Sequence, residues 1–136
     1  MRQLSRVAVS IEDIQKMVSE VVPDGEVSVV PVQYGNREYI RMSTSISYNG
    51  DQGIYLTSTG LRQVMAFIEG GQGLGYDGVA LAHNGTDDVS SQRIQVVKRF
   101  INERYGDRVT VRTMNVDATL ALKDGFEIWL GKGKKQ

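Results

Sequence analysis

The sequence predicts a single α+β domain, with about three helices packed on a mainly antiparallel sheet of about six strands. Three observations carry that expectation. The chain has 136 residues, the size of one ordinary domain, and its 40% apolar and 24% charged content is that of a folding chain. Apolar residues recur at helical spacing in three segments. Around those segments lie short β-branched stretches bounded by Gly, Asn and Asp, one of them with period-two alternation.

The first helix opens at Ser10, an N-cap with Asp13 three residues on, and turns Ile11, Ile14, Met17, Val18 and Val21 to one side. Pro23-Asp24-Gly25 stops it. Glu26 to Val32 reads as a strand whose Pro31 has no N–H to donate and so marks an edge or an end. After the turn Tyr34-Gly35-Asn36, residues Ile40, Met42, Thr44, Ile46 and Tyr48 alternate with Tyr39, Arg41, Ser43, Ser45 and Ser47. That pattern predicts a long strand with one buried and one wet face. Asn49-Gly50 turns it into a hairpin with Ile54 to Thr57.

Thr57, Ser58 and Thr59 offer caps to a second helix with the stripe Leu61, Val64, Met65 and Ile68, ended by Gly70 and Gly71. Glycines at 70, 71, 73, 75 and 78 predict a loop over 70–78, leading into a short strand from Val79 to Ala82. A third helix starts near Thr86 or Ser90, turns Ile94, Val97 and Ile101 inward and ends at Gly106. Strands follow at Arg108 to Met114, Ala118 to Leu122 and, after Lys123-Asp124-Gly125, Phe126 to Leu130. The domain is expected over 1–130, with 131–136 as a flexible basic tail.

From about 10 to 70 the order of helix, three strands and helix resembles in topology a double-stranded-RNA-binding domain. That family reads duplex RNA through basic phosphate contacts. Here the second helix opens Gly60-Leu61-Arg62-Gln63 without a lysine cluster and the stretch is net acidic, so no residue role is carried over.

Composition narrows the chemistry. With no Cys and with His83 as the single histidine, the chain has no disulfide, no thiolate nucleophile, no Cys-based zinc site and no two-His pair; neither a metal nor a cofactor is expected. Gly73-Leu74-Gly75-Tyr76-Asp77-Gly78 has G-x-G-x-x-G spacing, but it follows a helix and leads into a strand, the reverse of a dinucleotide-binding turn. The N-terminus lacks a signal-peptide core and no run approaches the ~20 apolar residues of a membrane span, so no membrane contact and a cytoplasmic location are expected. The zero net charge hides an asymmetry. Residues 1–78 hold six Lys or Arg and nine Asp or Glu, whereas 79–136 hold ten and seven. A basic contact surface is therefore local to the C-terminal half.

Two constellations stand out. His83 lies at the end of a strand just before Asp87 and Asp88, an arrangement that suits an acid–base group, although carboxylates there also complement the dipole of the third helix. On that helix Arg93 and Arg104 are eleven positions apart and nearly superimposed, so both point into the sector of Val97 and Phe100 and put charge inside the apolar stripe, unless they lie at its edge with their stems over apolar atoms and their guanidinium groups in water. Arg93, Phe100 and Arg104 form the expected partner-binding face. The leading expectation is a small non-enzymatic binding or regulatory protein, of inhibitor or adaptor type, acting through contacts with a protein partner or with itself as a homodimer. One alternative is nucleic-acid binding through the basic C-terminal half, with Arg93, Arg99, Arg104, Lys132, Lys134 and Lys135. The other is a small enzyme using His83 with Asp87 or Asp88, the glycine segment serving as a lid.

Overall fold

A computed structural model describes residues 8–22, 27–50, 53–85, 87–122 and 125–132. Its elements run α1 (Ile11–Val21), β1 (Val29–Tyr34), β2 (Arg37–Met42), α2 (Ser58–Gly73), β3 (Gly78–His83), α3 (Asp88–Tyr105), β4 (Thr110–Asn115) and β5 (Phe126–Gly131). A single 3-10 turn, Gly106–Arg108, follows α3. The helix starts follow from their caps. The Ser10 hydroxyl accepts from the Asp13 N–H (3.2 Å) while the Asp13 carboxylate accepts from the Val9 N–H (2.8 Å). Thr57 caps α2 through the Gly60 N–H (3.0 Å), and Asp87 caps α3 through the Ser90 N–H (2.8 Å).

The five strands form one sheet in the order β1-β2-β5-β3-β4. Every pair is antiparallel except β3 and β4, which are parallel and joined by α3. β5, last in the chain, takes the centre, and all six of its residues are buried. Its alternation divides the interior. Phe126, Ile128 and Leu130 join Ile40, Met42, Val79 and Leu81 under the three helices, where Ile14, Val18, Val64, Phe67, Ile94, Val97 and Ile101 complete the main core. Trp129 faces the opposite way and forms a second cluster with Tyr39, Ala80, Ala82 and Val116. The chain is thus one α+β domain with its helices on one face of the sheet.

The expected long strand from Tyr39 to Tyr48 ends at Met42. Burial still alternates beyond that point, with Thr44 and Ile46 buried and Ser45 exposed. The backbone there is satisfied by a side chain instead of a strand: the Gln63 Oε1 accepts from the Ser47 N–H and its Nε2 donates to the Ser45 carbonyl, both at 3.0 Å. The expected hairpin survives as one bridge, Tyr48 to Leu56. Gly60 permits the close approach, because a Cβ there would run into the Ser47 carbonyl oxygen. The antiparallel hairpin proper is β1–β2, turning at Gly35 with φ 62°.

Gly70 and Gly71 do not end α2. The helix continues to Gly73 because these glycines are its packing surface: Gly70 lies against Ile14 and Met17, and a Cβ on Gly71 would collide with Leu130. The loop expected over 70–78 shrinks to residues 74–77, and Gly78 opens β3. Ala118 to Leu122 is not a strand. Leu120 and Leu122 cover the second cluster, and the Asn84 amide donates to the Asp117 and Leu120 carbonyls (3.2 and 2.7 Å) in place of a ladder. Among the described residues the sheet has five strands, close to the expected six, and two of them stand between α1 and α2, where the RNA-binding family has three. Gly131 belongs to β5 and not to a tail. The expected stop at Pro23-Asp24-Gly25, residues Lys123 and Asp124, and tail residues 133–136 lie outside the described residues. No helix among the described residues is long and apolar enough to cross a membrane.

Candidate functional site

On the sheet face turned away from the helices, strand pairing sets residues in rows. Tyr39 pairs with Gly131, Gly131 with Gly78 and Gly78 with Thr110, so one row crosses β2, β5, β3 and β4. The adjacent row is Arg41, Trp129, Ala80 and Arg112. Two neighbouring glycines and an alanine leave a trough between walls supplied by β2 and β4. At Gly131 a Cβ would stand in tight contact, 3.1 Å from the Tyr39 ring. The trough is a pocket of about 210 Å³ walled by Arg37, Tyr39, Thr110, Arg112 and Lys132.

One of the pocket's cations is held by a hydrogen bond. The Arg112 Nη2 donates to the Tyr39 hydroxyl at 2.8 Å, which carries the guanidinium inward over the trough. Tyr39 packs its ring against Trp129 (5.5 Å between centroids), and the fully buried Trp129 donates its Nε1–H to Glu127 at 3.1 Å. Glu127 is 2% exposed and accepts two hydrogen bonds from Arg41, at 2.8 and 2.9 Å. The Arg41 pKa is raised above its usual value, chiefly by the Glu127 hydrogen bond and further by its charge, against the opposing effect of burial. Arg41 also donates to the Ala121 carbonyl (2.7 Å), so its charge is used inside the fold. Arg37, Arg112 and Lys132 make no ion pair among the described residues. The Lys132 ammonium lies 4.9 Å from the Tyr76 ring centroid. No carboxylate is among the described residues that line the pocket, and Glu38 lines the adjoining cavity together with Arg37 and Lys132. Two guanidinium groups, an ammonium and two hydroxyls present the donors that a phosphate, sulfate or carboxylate accepts from.

His83 ends β3 at the other end of that strand from Gly78, roughly 16 Å away at ~3.3 Å per residue. Its Nδ1 is buried without a hydrogen-bond partner among the described residues. Asp87 is exposed and serves as the cap of α3; the Ser90 N–H, and then the Ser90 hydroxyl, lower its pKa. Asp88 is exposed in the first turn. No hydrogen bond or ion pair among the described residues joins His83 to Asp87 or Asp88, so the three are not assembled into one group.

The α3 residues are engaged within the chain. Arg93 donates its Nε–H to the Gly53 carbonyl (2.7 Å) and lays its guanidinium 3.9 Å from the Tyr48 ring centroid, tying the segment before α2 to α3. Phe100 is half-buried against the main core. Arg104 is exposed, with its Nε 3.9 Å from Glu69 Oε2, the oxygen that also accepts from the Tyr105 hydroxyl at 2.7 Å. Burial first, and Glu69 second, push the Tyr105 phenol well above its ordinary pKa.

No local pattern marks the pocket, because Arg37, Tyr39, Thr110, Arg112 and Lys132 come from separate stretches of the chain and meet only through strand register. One signal was present: Gly78 and Gly131 border strand patterns, and glycine within a strand marks a close approach. No protein-family model and no curated protein matches the chain, so the chemistry of the pocket is read from its own residues.

Proposed function

We propose that the chain is a small non-enzymatic binding protein, of regulatory, inhibitor or adaptor type, that holds an anionic group of its partner in the outer-face pocket. The observation that supports this is the set of three cations, Arg37, Arg112 and Lys132, gathered around a glycine floor with no carboxylate among the described lining residues. Like charges at one site repel each other, and an anion relieves that repulsion while accepting charge-assisted hydrogen bonds, about twice as strong as neutral ones. Tyr39 holds the Arg112 guanidinium in place beforehand, which reduces the ordering cost of binding. Binding is favoured over catalysis because the wall residues are hydrogen-bond donors and supply no general base, and His83 stands at the far end of β3.

Thermal unfolding in increasing sodium phosphate at constant ionic strength tests the reading. A ligand that binds only the folded state stabilises it in proportion to the logarithm of its saturation. The Tm of the wild type is expected to rise with phosphate, and that of Arg37→Gln/Arg112→Gln to stay flat. A wild-type Tm indifferent to phosphate, or an equal rise in the variant, overturns the assignment.

A further inference from the structure

We propose that the anionic group held in the outer-face pocket is the phosphate of a guanine nucleotide, whose base enters the cavity adjoining that pocket. The phosphate half rests on the anion-binding reading above; the base half rests on the adjoining cavity and its own residues.

That cavity, of about 300 Å³, is lined by Asn36, Arg37, Glu38, Tyr76 and Lys132. It shares Arg37 and Lys132 with the outer-face pocket, so one ligand can pass over these two cations from one space into the other. β2 and β3 both run antiparallel to β5, so their first residues lie at one end of the sheet. Asn36 precedes β2 and Tyr76 precedes β3, which puts the second cavity off that end, beyond the row of Tyr39, Gly131, Gly78 and Thr110. A bare anion needs only the first space. Joined, the two spaces reach the ~300–1,000 Å³ of small-molecule sites.

Polarity changes along this path. The outer-face pocket offers the cations Arg37, Arg112 and Lys132 and the hydroxyls of Tyr39 and Thr110. The second cavity adds the Glu38 carboxylate, the Asn36 amide and the Tyr76 ring. Glu38 and Asn36 are exposed, and neither side chain has a hydrogen bond or ion pair among the described residues. A ligand that suits both spaces is therefore anionic at one end and carries N–H donors at the other, with a flat part for the Tyr76 ring. A nucleotide has that order. Among the common bases guanine alone sets two N–H donors side by side, its ring N–H and its exocyclic amine, and a carboxylate accepts two parallel hydrogen bonds. The Lys132 ammonium lines both spaces and lies 4.9 Å from the Tyr76 ring centroid. A cation–π contact at an exposed site is weak beside an ammonium–phosphate pair, so the phosphate draws Lys132 away and frees the ring for the base.

Isothermal titration calorimetry compares guanosine monophosphate with ribose phosphate, adenosine monophosphate and O-phosphoserine, the first three phosphorylated at the same ribose position. Guanosine monophosphate is expected to bind at least about tenfold more tightly than each of the others. Glu38→Gln removes a charge that repels the phosphate, so it should bind ribose phosphate at least as well as the wild type and yet lose most of the guanosine monophosphate advantage. A purely electrostatic role of Glu38 would strengthen both ligands alike and leave their ratio unchanged. Equal affinity for guanosine monophosphate and ribose phosphate, in a wild type whose Tm rises with phosphate, overturns the nucleotide and leaves the pocket reading standing. O-phosphoserine bound as tightly as guanosine monophosphate overturns the nucleotide in favour of a phosphorylated protein. Equal binding of adenosine monophosphate, or a guanosine monophosphate advantage intact in Glu38→Gln, overturns the guanine assignment. A wild type that neither phosphate nor guanosine monophosphate stabilises overturns the pocket reading and the nucleotide together.

Discussion

Arg112 of β4 and Tyr39 of β2 share a hydrogen bond of 2.8 Å across the two strands that separate them. Gly131 and Gly78 leave the row from Tyr39 to β4 open, and Ala80 stands beside Arg112. Tyr39→Phe keeps the ring against Trp129 and deletes the acceptor. It is expected to cost about 1 kcal/mol in urea unfolding and to weaken, without abolishing, the phosphate effect on Tm. Gly131→Ala should cost more, about 1–3 kcal/mol, because its Cβ would press on the Tyr39 ring. The reverse ranking in the same titration would show that the ring is not seated on Gly131.

Gln63, 1% exposed, stands in for a strand neighbour of the segment 45–47. Gln63→Leu fills a similar volume but leaves the Ser47 N–H without its acceptor, a loss of about 1–3 kcal/mol. Hydrogen exchange at the Ser47 amide should accelerate far more than exchange in β5. Unchanged protection at Ser47 would mean that water or another group replaces the glutamine.

Glu127→Gln removes the charge that compensates Arg41 on the sheet face turned away from the helices. A buried pair broken on one side costs about 3–5 kcal/mol, and the low end applies because the Arg41 side chain keeps 16% exposure. Glu127→Gln/Arg41→Met should recover part of that loss in guanidinium unfolding. If the double variant is less stable than Glu127→Gln, the cost lies elsewhere, in the Trp129 hydrogen bond.

Asp87 makes the start of α3 sensitive to acid. Its pKa is lowered in the folded chain, so its stabilising contribution is present above the ordinary carboxylate pKa of about 3.9 and is lost as pH falls through the folded value. Asp87→Asn keeps a capping oxygen without the titration. Between pH 5 and pH 2 the wild type should lose more stability than Asp87→Asn. Parallel pH profiles for the two proteins would exclude the cap as the titrating element.

The helices were legible because their information is local. Ser10, Thr57 and Asp87 each sit within a few residues of the N–H groups they cap, and the stripe Ile94, Val97, Ile101 follows from a period of 3.6. The alternation from Ile40 to Ile46 correctly marked the buried side even where the strand had ended. It could not reveal that Gln63, sixteen residues from Ser47, would replace a strand. Gly70 and Gly71 differ from expectation for a related reason. In the chain they look like a stop, and only the closeness of Ile14 and Leu130 makes them a packing surface.

By itself the sequence determined an α+β domain with three capped helices, little equipment for metal or thiol chemistry, and a basic C-terminal half. Tertiary structure alone decided where that basic charge is available. Arg93 and Arg104, the expected contact residues, touch Gly53, Tyr48 and Glu69, while Arg112 and Lys132 of the basic half converge with Arg37 of the acidic half over Gly131 and Gly78. The physical reason is register. A strand shows which of its residues share a face, but which residues of other strands stand beside them depends on sheet order, and here the last strand of the chain enters the middle of the sheet.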